Sequence, residues 1–370
     1  MFFCKLLTVN ATTATAIMLT PSDRCSMITD YAVLQTEIQP DREVIMQRDG
    51  KIDHLTAVLE PITHGVAPNG AFVYGPPGAG KTCAVRCVCD ELENVIFIDC
   101  LGSHARRSVL NRVLEGLGEG NSLGRRSVST DDLSARIRRT IDTPTVVVLD
   151  EADQLDELRV VHELYGIPEL TLVLISNEPW REFDLRDVES HPRLDSRIGS
   201  LGEIPFSAYT DSELVSILDK RASVGIKPGV VSQSDLEYIA RQADNDAREA
   251  IAHLYHSVRN ADQDGQETLT KAVIDRSKPD ATRHVIRSRL SSLSREQRLA
   301  LECLADVGPA TSGPIYECYN KRSASPVRDR TMRGWLPKFK KYELVTVSGP
   351  DYEPVYEVRE VVIEELGVTV

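Results

Sequence analysis

Four short apolar runs punctuate the first half of the chain: Ala71-Phe72-Val73-Tyr74, Val95-Ile96-Phe97-Ile98, Val146-Val147-Val148-Leu149 and Leu172-Val173-Leu174-Ile175. Each is continuous rather than alternating, which predicts strands buried on both faces. Helical stretches separate them, and this alternation predicts an α/β fold: a parallel sheet with helices on both faces. After residue 205 the pattern changes to helices near 211–223, 235–243 and 246–260, an all-helical unit. Beyond residue 285 it changes again. Ser294 is placed to cap a helix from Arg295 to about Asp306, with Leu299, Ala300, Cys303 and Leu304 on one face. A helix near 312–321 and a third from Arg328 to about Phe339 follow. Leu344-Val345-Thr346-Val347 and Val355-Tyr356-Glu357-Val358, joined by a Ser348-Gly349-Pro350-Asp351 turn, predict a hairpin. Three helices and a hairpin make the winged helix-turn-helix plan. Pro337 is expected to kink or end the third helix.

The first predicted strand runs into Gly75-Pro76-Pro77-Gly78-Ala79-Gly80-Lys81-Thr82, the G-x-x-x-x-G-K-T of a P-loop in its required strand–helix context. Its glycines let backbone N–H groups curl around phosphate oxygens at a helix N-terminus. Lys81 is expected to reach the β- and γ-phosphates of ATP or ADP, and Thr82 to ligate Mg²⁺. The third strand ends in Asp150-Glu151-Ala152-Asp153. Ligands sit beyond the carboxyl ends of such strands. Asp150 is placed to hold Mg²⁺ through water, Glu151 to orient or deprotonate the attacking water, and Asp153 to serve as a structural or relay carboxylate. Asn177, after the fourth strand, can hydrogen-bond the γ-phosphate or the lytic water.

Composition narrows the setting. The chain has 370 residues with a formal net charge of -13, and its basic residues are 11 Lys and 32 Arg. Few Lys among many acids resembles the proteomes of salt-in halophiles; a high-GC genome gives the same Arg bias. The eight Cys show no zinc-ligand spacing and fit small buried thiols in a reducing cytosol. No stretch of about 18 apolar residues predicts a membrane span. Residues 1–26 carry a Thr-rich centre that makes a poor secretory signal, so they read as a disordered leader or a start that belongs at Met27. An acidic average argues against nucleic acid, yet the charge is uneven. Residues 281–346 carry 13 basic and 6 acidic residues, a net of +7. The third helix of the winged module and its exit hold Arg328, Arg330, Arg333, Lys338, Lys340 and Lys341, candidates for DNA contact. The wing tip carries Asp351 and Glu353 and no basic residue.

The order of motifs resembles the AAA+ ATPases, and its details resemble the archaeal origin-recognition and cell-division-control initiator family. The resemblance covers nearly the whole chain from about residue 27. It is carried by Arg48-Asp49 ahead of the P-loop, Asp150-Glu151-Ala152-Asp153-Gln154-Leu155, Leu194-Asp195-Ser196-Arg197-Ile198-Gly199-Ser200-Leu201, and Phe206-Ser207-Ala208-Tyr209-Thr210. Asn245-Asp246-Ala247-Arg248 departs by one residue from that family's G-D-A-R. The resemblance implies a nucleotide core over 27–205, a helical lid over 206–280 and a winged domain over 285–370. It makes Asn177 sensor 1 and Arg248 sensor 2, adds Tyr209 to the nucleotide contacts, and makes Arg197, with Arg193 as fallback, the arginine finger. It places a DNA-gripping insertion within 101–140, which holds Arg106, Arg107, Arg125 and Arg126. The implied protein is a cytoplasmic, nucleoid-associated, weakly hydrolysing initiator. It binds double-stranded origin DNA, helps load the replicative helicase and can self-associate on DNA. A branch-migration type motor, or a P-loop regulatory or signalling protein that binds an operator or a protein partner, stays open as an alternative.

Overall fold

The computed structural model describes residues 26–119, 129–182 and 201–367. Arg125, Arg126, Arg193, Arg197 and residues 1–25 lie outside the described residues.

The predicted apolar runs form strands β1 (Gly70–Tyr74), β2 (Val95–Asp99), β3 (Thr145–Asp150) and β4 (Leu170–Ser176). A fifth strand, β5 (Gly202–Pro205), completes a parallel sheet of order β2-β3-β4-β1-β5. Its four residues, one of them Pro, are too few to announce a strand in sequence. Every residue of β3 and β4 is buried, as continuous apolar runs require. Helices α1 (Asp49–Leu59) and α2 (Lys81–Cys89) cover one face, where Leu55, Leu59, Ala84 and Val85 meet Val73, Val148 and Val173. Helices α3 (Arg106–Gly116), α4 (Thr130–Thr140) and α5 (Arg159–Tyr165) cover the other through Val109, Leu110, Leu133, Ile137 and Val160.

The lid comprises α6 (Asp211–Gly225), α7 (Gln233–Arg241), α8 (Ala247–Gln263) and the first half of α9 (Lys271–Ser292). Capping boxes open α6 at Thr210 with Glu213 and α7 at Ser232 with Asp235. Residues 27–34, assigned to the core from sequence, instead pack on this lid. Met27, Ile28 and Leu34 join its apolar cluster, and Ile28 bridges to Ile226. Helix α9 runs across the boundary expected between residues 280 and 285. Val273 and Ile274 sit in the lid core, while Ile286 and Leu290 sit in the winged core, so one helix serves both.

The winged domain follows as α10 (Arg295–Val307), α11 (Ser312–Arg322), α12 (Asp329–Lys341), β6 (Val345–Ser348) and β7 (Val355–Val358). The antiparallel β6–β7 pair is the wing, and an additional helix, α13 (Glu360–Leu366), closes the domain. Ser294 caps α10 in a capping box with Gln297. Pro337 neither ends nor breaks α12. Met332, Trp335, Leu336 and Phe339, all at most 1% exposed, hold that helix against the core, while Pro337 is exposed.

Candidate functional site

The carboxyl ends of β1, β3 and β4 lie side by side, with Tyr74 opposite Ser176 and Leu149 opposite Leu174. The P-loop, the acidic turn and Asn177 therefore converge on one cleft. Lys81, Thr82, Asp150, Glu151, Asn177 and Arg248 line one open space, which adjoins a second lined also by Thr36, Asp99 and Ser292.

Lys81 is buried, and its Nζ donates to uncharged acceptors: Gly75 O (2.6 Å), Pro76 O (2.8 Å) and Asn177 Oδ1 (3.1 Å). Burial, then the Arg248 charge, pulls its pKa down to about 8. An anion in the cleft would reverse that shift. Thr82 Oγ1 donates to Asp150 Oδ1 (3.2 Å), which places a hydroxyl beside a carboxylate, the hard-oxygen pair that suits magnesium. Burial and then Asp99 raise Asp150 to about 6. Burial and then Asp150 raise Glu151 to about 7. Glu151 also adopts φ +56°, a left-handed conformation at the turn out of β3. Asp153 accepts from Asn177 N (3.3 Å) and from Gln154 Nε2 (2.9 Å), so it is a structural carboxylate that ties the β3 turn to the β4 exit.

The loop is braced from behind. Arg48, 7% exposed, donates through Nε to Ala79 O (2.9 Å) and through Nη2 to Ser207 O (2.8 Å). Its guanidinium lies 3.8 Å from the centre of the Tyr209 ring. The Tyr209 hydroxyl packs so close to Gly80 (φ +84°) that a Cβ there would come within 2.5 Å of it. Tyr209 thus supports the loop from behind. On the lid side, the Asp246 carboxylate caps α8 by accepting from Arg248 N (2.7 Å) and Glu249 N (3.4 Å). It leaves no room for a side chain at Gly78 (φ +71°), where a Cβ would lie 2.0 Å from Oδ1. Arg248, in the first turn of α8, faces the cleft.

Other predicted residues are placed differently. Arg106 pairs with Glu163 and Asp131, both at 2.7 Å, and ties α3 to α4 and α5. Arg328, Arg330, Arg333 and Lys340 are exposed on α12 and its N-cap, with Arg333 paired to Asp329. Lys338 and Lys341, also expected at DNA, turn into the core in this docked arrangement. Lys338 Nζ donates to Gln154 O (2.7 Å), and Lys341 Nζ pairs with Asp153 (2.9 Å) and Glu178 (2.8 Å). Burial alone would raise Asp153; Lys341 and the N–H donors instead take it below the ordinary carboxylate value. Two cleft residues, Arg289 and Tyr342, were missed, because both lie outside any motif and reach the site only through tertiary docking.

Fold and cleft define an AAA+ ATPase with a winged-helix domain. Residues 67–178 match the AAA domain model, and residues 215–279 match the Cdc6 AAA+ ATPase-type lid domain. The chain is 34% identical to ORC1-type DNA replication protein 1 of Halobacterium salinarum over 83% of its length and all of that relative. It is 31% identical to ORC1-type DNA replication protein 9 of the same organism, over 89% of this chain and 93% of the relative. The Aeropyrum pernix ORC1 protein, solved in complex with DNA, shares the fold at TM-score 0.68 and 24% identity, over 92% of this chain and 97% of that one. The chain belongs to the ORC1-type DNA replication protein family, a nucleotide-binding branch of the AAA+ ATPases. That membership favours a replication initiator over a branch-migration motor or a P-loop regulator. No helix among the described residues is long and apolar enough to cross a membrane.

Proposed function

We propose that the protein is an ATP-switched initiator that binds double-stranded origin DNA through its winged domain, mainly through Arg328, Arg330, Arg333 and Lys340. The observation that carries this reading is an exposed basic helix joined by α9 to the lid, and so to the ATPase cleft. The complex formed by the A. pernix protein with DNA supports it. Phosphate contacts fix the position of the domain, and side chains of α12 read bases. Family resemblance adds loading of the replicative helicase, self-association on DNA and an arginine finger at Arg197 or Arg193. A cytoplasmic, nucleoid-associated location is part of this reading.

At the cleft, Gly75, Pro76, Pro77, Gly78, Ala79, Gly80 and Lys81 hold the phosphates, with Lys81 exchanging its carbonyl partners for phosphate oxygens. Thr82 and Asp150 hold Mg²⁺, which neutralises phosphate charge when bound. Glu151 takes the proton of the attacking water at a carboxylate oxygen. Asn177 orients that water or the γ-phosphate, and Arg248 brings the lid's charge to the cleft. Lys81→Ala abolishes nucleotide binding, whereas Glu151→Gln retains binding and stops hydrolysis.

Fluorescence anisotropy with origin duplex tests the interface. Arg330→Ala with Arg333→Ala weakens binding and reduces the salt slope by about 2. An unchanged slope removes α12 from the interface. Chromatin profiling then separates initiation, which gives one sharp peak at the origin, from regulation, which gives peaks at many promoters.

A further inference from the structure

The winged domain reaches into the ATPase site. Helix α12 ends at Lys341, and the next residue, Tyr342, is 5% exposed and lines both spaces of the cleft. Its hydroxyl donates to Oε2 of Glu151. Lys341 pairs with Asp153 and Glu178, and Lys338 caps the carbonyl of Gln154. Arg289 holds the same segment from α9, donating to Tyr342 O (3.0 Å) and Glu343 Oε2 (2.9 Å) while lying 3.8 Å from Asp246. Apolar contacts extend the docking. Leu101, from the loop after β2, is buried in the winged core, and His104 meets Trp335 edge-on at 6.2 Å between ring centres.

We propose that the docked winged domain restrains ATP hydrolysis: Tyr342 occupies the Glu151 carboxylate, and DNA that engages all of α12 withdraws it. Tyr342 is then a positioning residue that acts through Glu151. A general base needs an oxygen free to take the proton of water. A hydroxyl already bonded to Oε2 fills that acceptor, and the ring lines the cleft beside it. The coupling to DNA follows from Lys338 and Lys341, which cannot serve the core and a phosphate backbone together. The outward Arg328, Arg330, Arg333 and Lys340 let duplex land on the docked domain. Completing the contact exchanges Asp153 and Glu178 for phosphates, one anionic partner for another, and carries the adjoining Tyr342 away.

This inference rests on Glu151 as the base, and the tests separate the two. Tyr342→Phe keeps the packed ring and loses only the hydroxyl. Its kcat rises about tenfold, from release of one charge-assisted hydrogen bond. Its ATP Kd is unchanged, and duplex that stimulates the wild type no longer stimulates it. Backbone amide exchange over residues 151–155 and 338–344 of the wild type rises when saturating duplex is added, a readout independent of turnover. A kcat for Tyr342→Phe at or below wild type overturns the proposal, as does exchange that DNA leaves unchanged. If Glu151→Gln hydrolyses ATP like wild type, the base assignment fails and takes the proposal with it. If Glu151→Gln is inactive and Tyr342→Phe behaves as wild type, only the restraint fails.

Discussion

Asp244 and Asn245 adopt φ of +46° and +66°, two consecutive left-handed residues that turn the chain into α8. The family pattern carries Gly at the second position, where φ is positive and a Cβ is penalised. Asn is among the side chains that tolerate this region best, so the departure at residue 245 keeps the turn. Asn245→Gly should change stability by less than about 0.5 kcal/mol, whereas β-branched Asn245→Val should lose about 1–2 kcal/mol in urea unfolding. A second residue-scale prediction concerns pH. Burial, then the neighbouring His284, lowers the His256 pKa from 6.5 to about 4. Asp280 opposes that shift, Arg259 and Arg287 reinforce it, and Glu37 pairs with His284 across the N-terminal segment. The folded state therefore binds fewer protons than the unfolded state between those two values. Stability from this group is present above pH 6.5 and is lost as pH falls towards 4. His256→Gln should lose less stability than wild type between pH 7 and 5 by urea titration, and an equal loss would assign the effect elsewhere.

At the scale of elements, legibility followed burial. β3 and β4 were readable because residues buried on both faces leave a continuous apolar run, while β5 gave four residues with Glu203 and Pro205 among them. Ser294 was readable as a cap because its capping box is local. Ser294→Ala should cost about 1 kcal/mol, seen as a lower Tm. Two prolines stand inside helices for one shared reason. Pro279 in α9 and Pro337 in α12 both stand on exposed faces, while the opposite face of each helix is buried. Ser277, Ala281 and Val285 hold α9; Trp335, Leu336 and Phe339 hold α12. Packing of that amount outweighs a lost helical bond worth about 3 kcal/mol. The same continuity carries α9 across the boundary that the resemblance implied between residues 280 and 285.

On the scale of the whole molecule, the charge of -13 divides into an acidic ATPase and a basic reader. Residues 1–280 hold 29 basic and 44 acidic residues, a net of -15, against +7 for residues 281–346 and -5 for residues 347–370. Docking consumes part of that basic excess, since Lys338 and Lys341 are spent on the core. Salt should therefore act in opposite senses on fold and on DNA. Raising KCl from about 0.1 to about 2 M screens carboxylate repulsion and should raise Tm, while it weakens duplex binding steeply. A Tm that falls with KCl would show that attractive ion pairs dominate the fold.

The sequence by itself determined the family, the order of the three structural units and the local chemistry of the cleft. P-loop, acidic turn and Asn177 each follow a strand within a few residues, and a parallel sheet brings its carboxyl ends together. Only the tertiary structure decided what surrounds them. Arg48 and Tyr209 brace the loop from behind, Arg106 is absorbed into core ion pairs, and Tyr342 lies on Glu151. Those contacts join residues up to 191 positions apart, where no period, spacing or propensity carries a signal. The fate of a lysine on α12 depends on the neighbour that a docked domain presents, and that neighbour is set by packing alone.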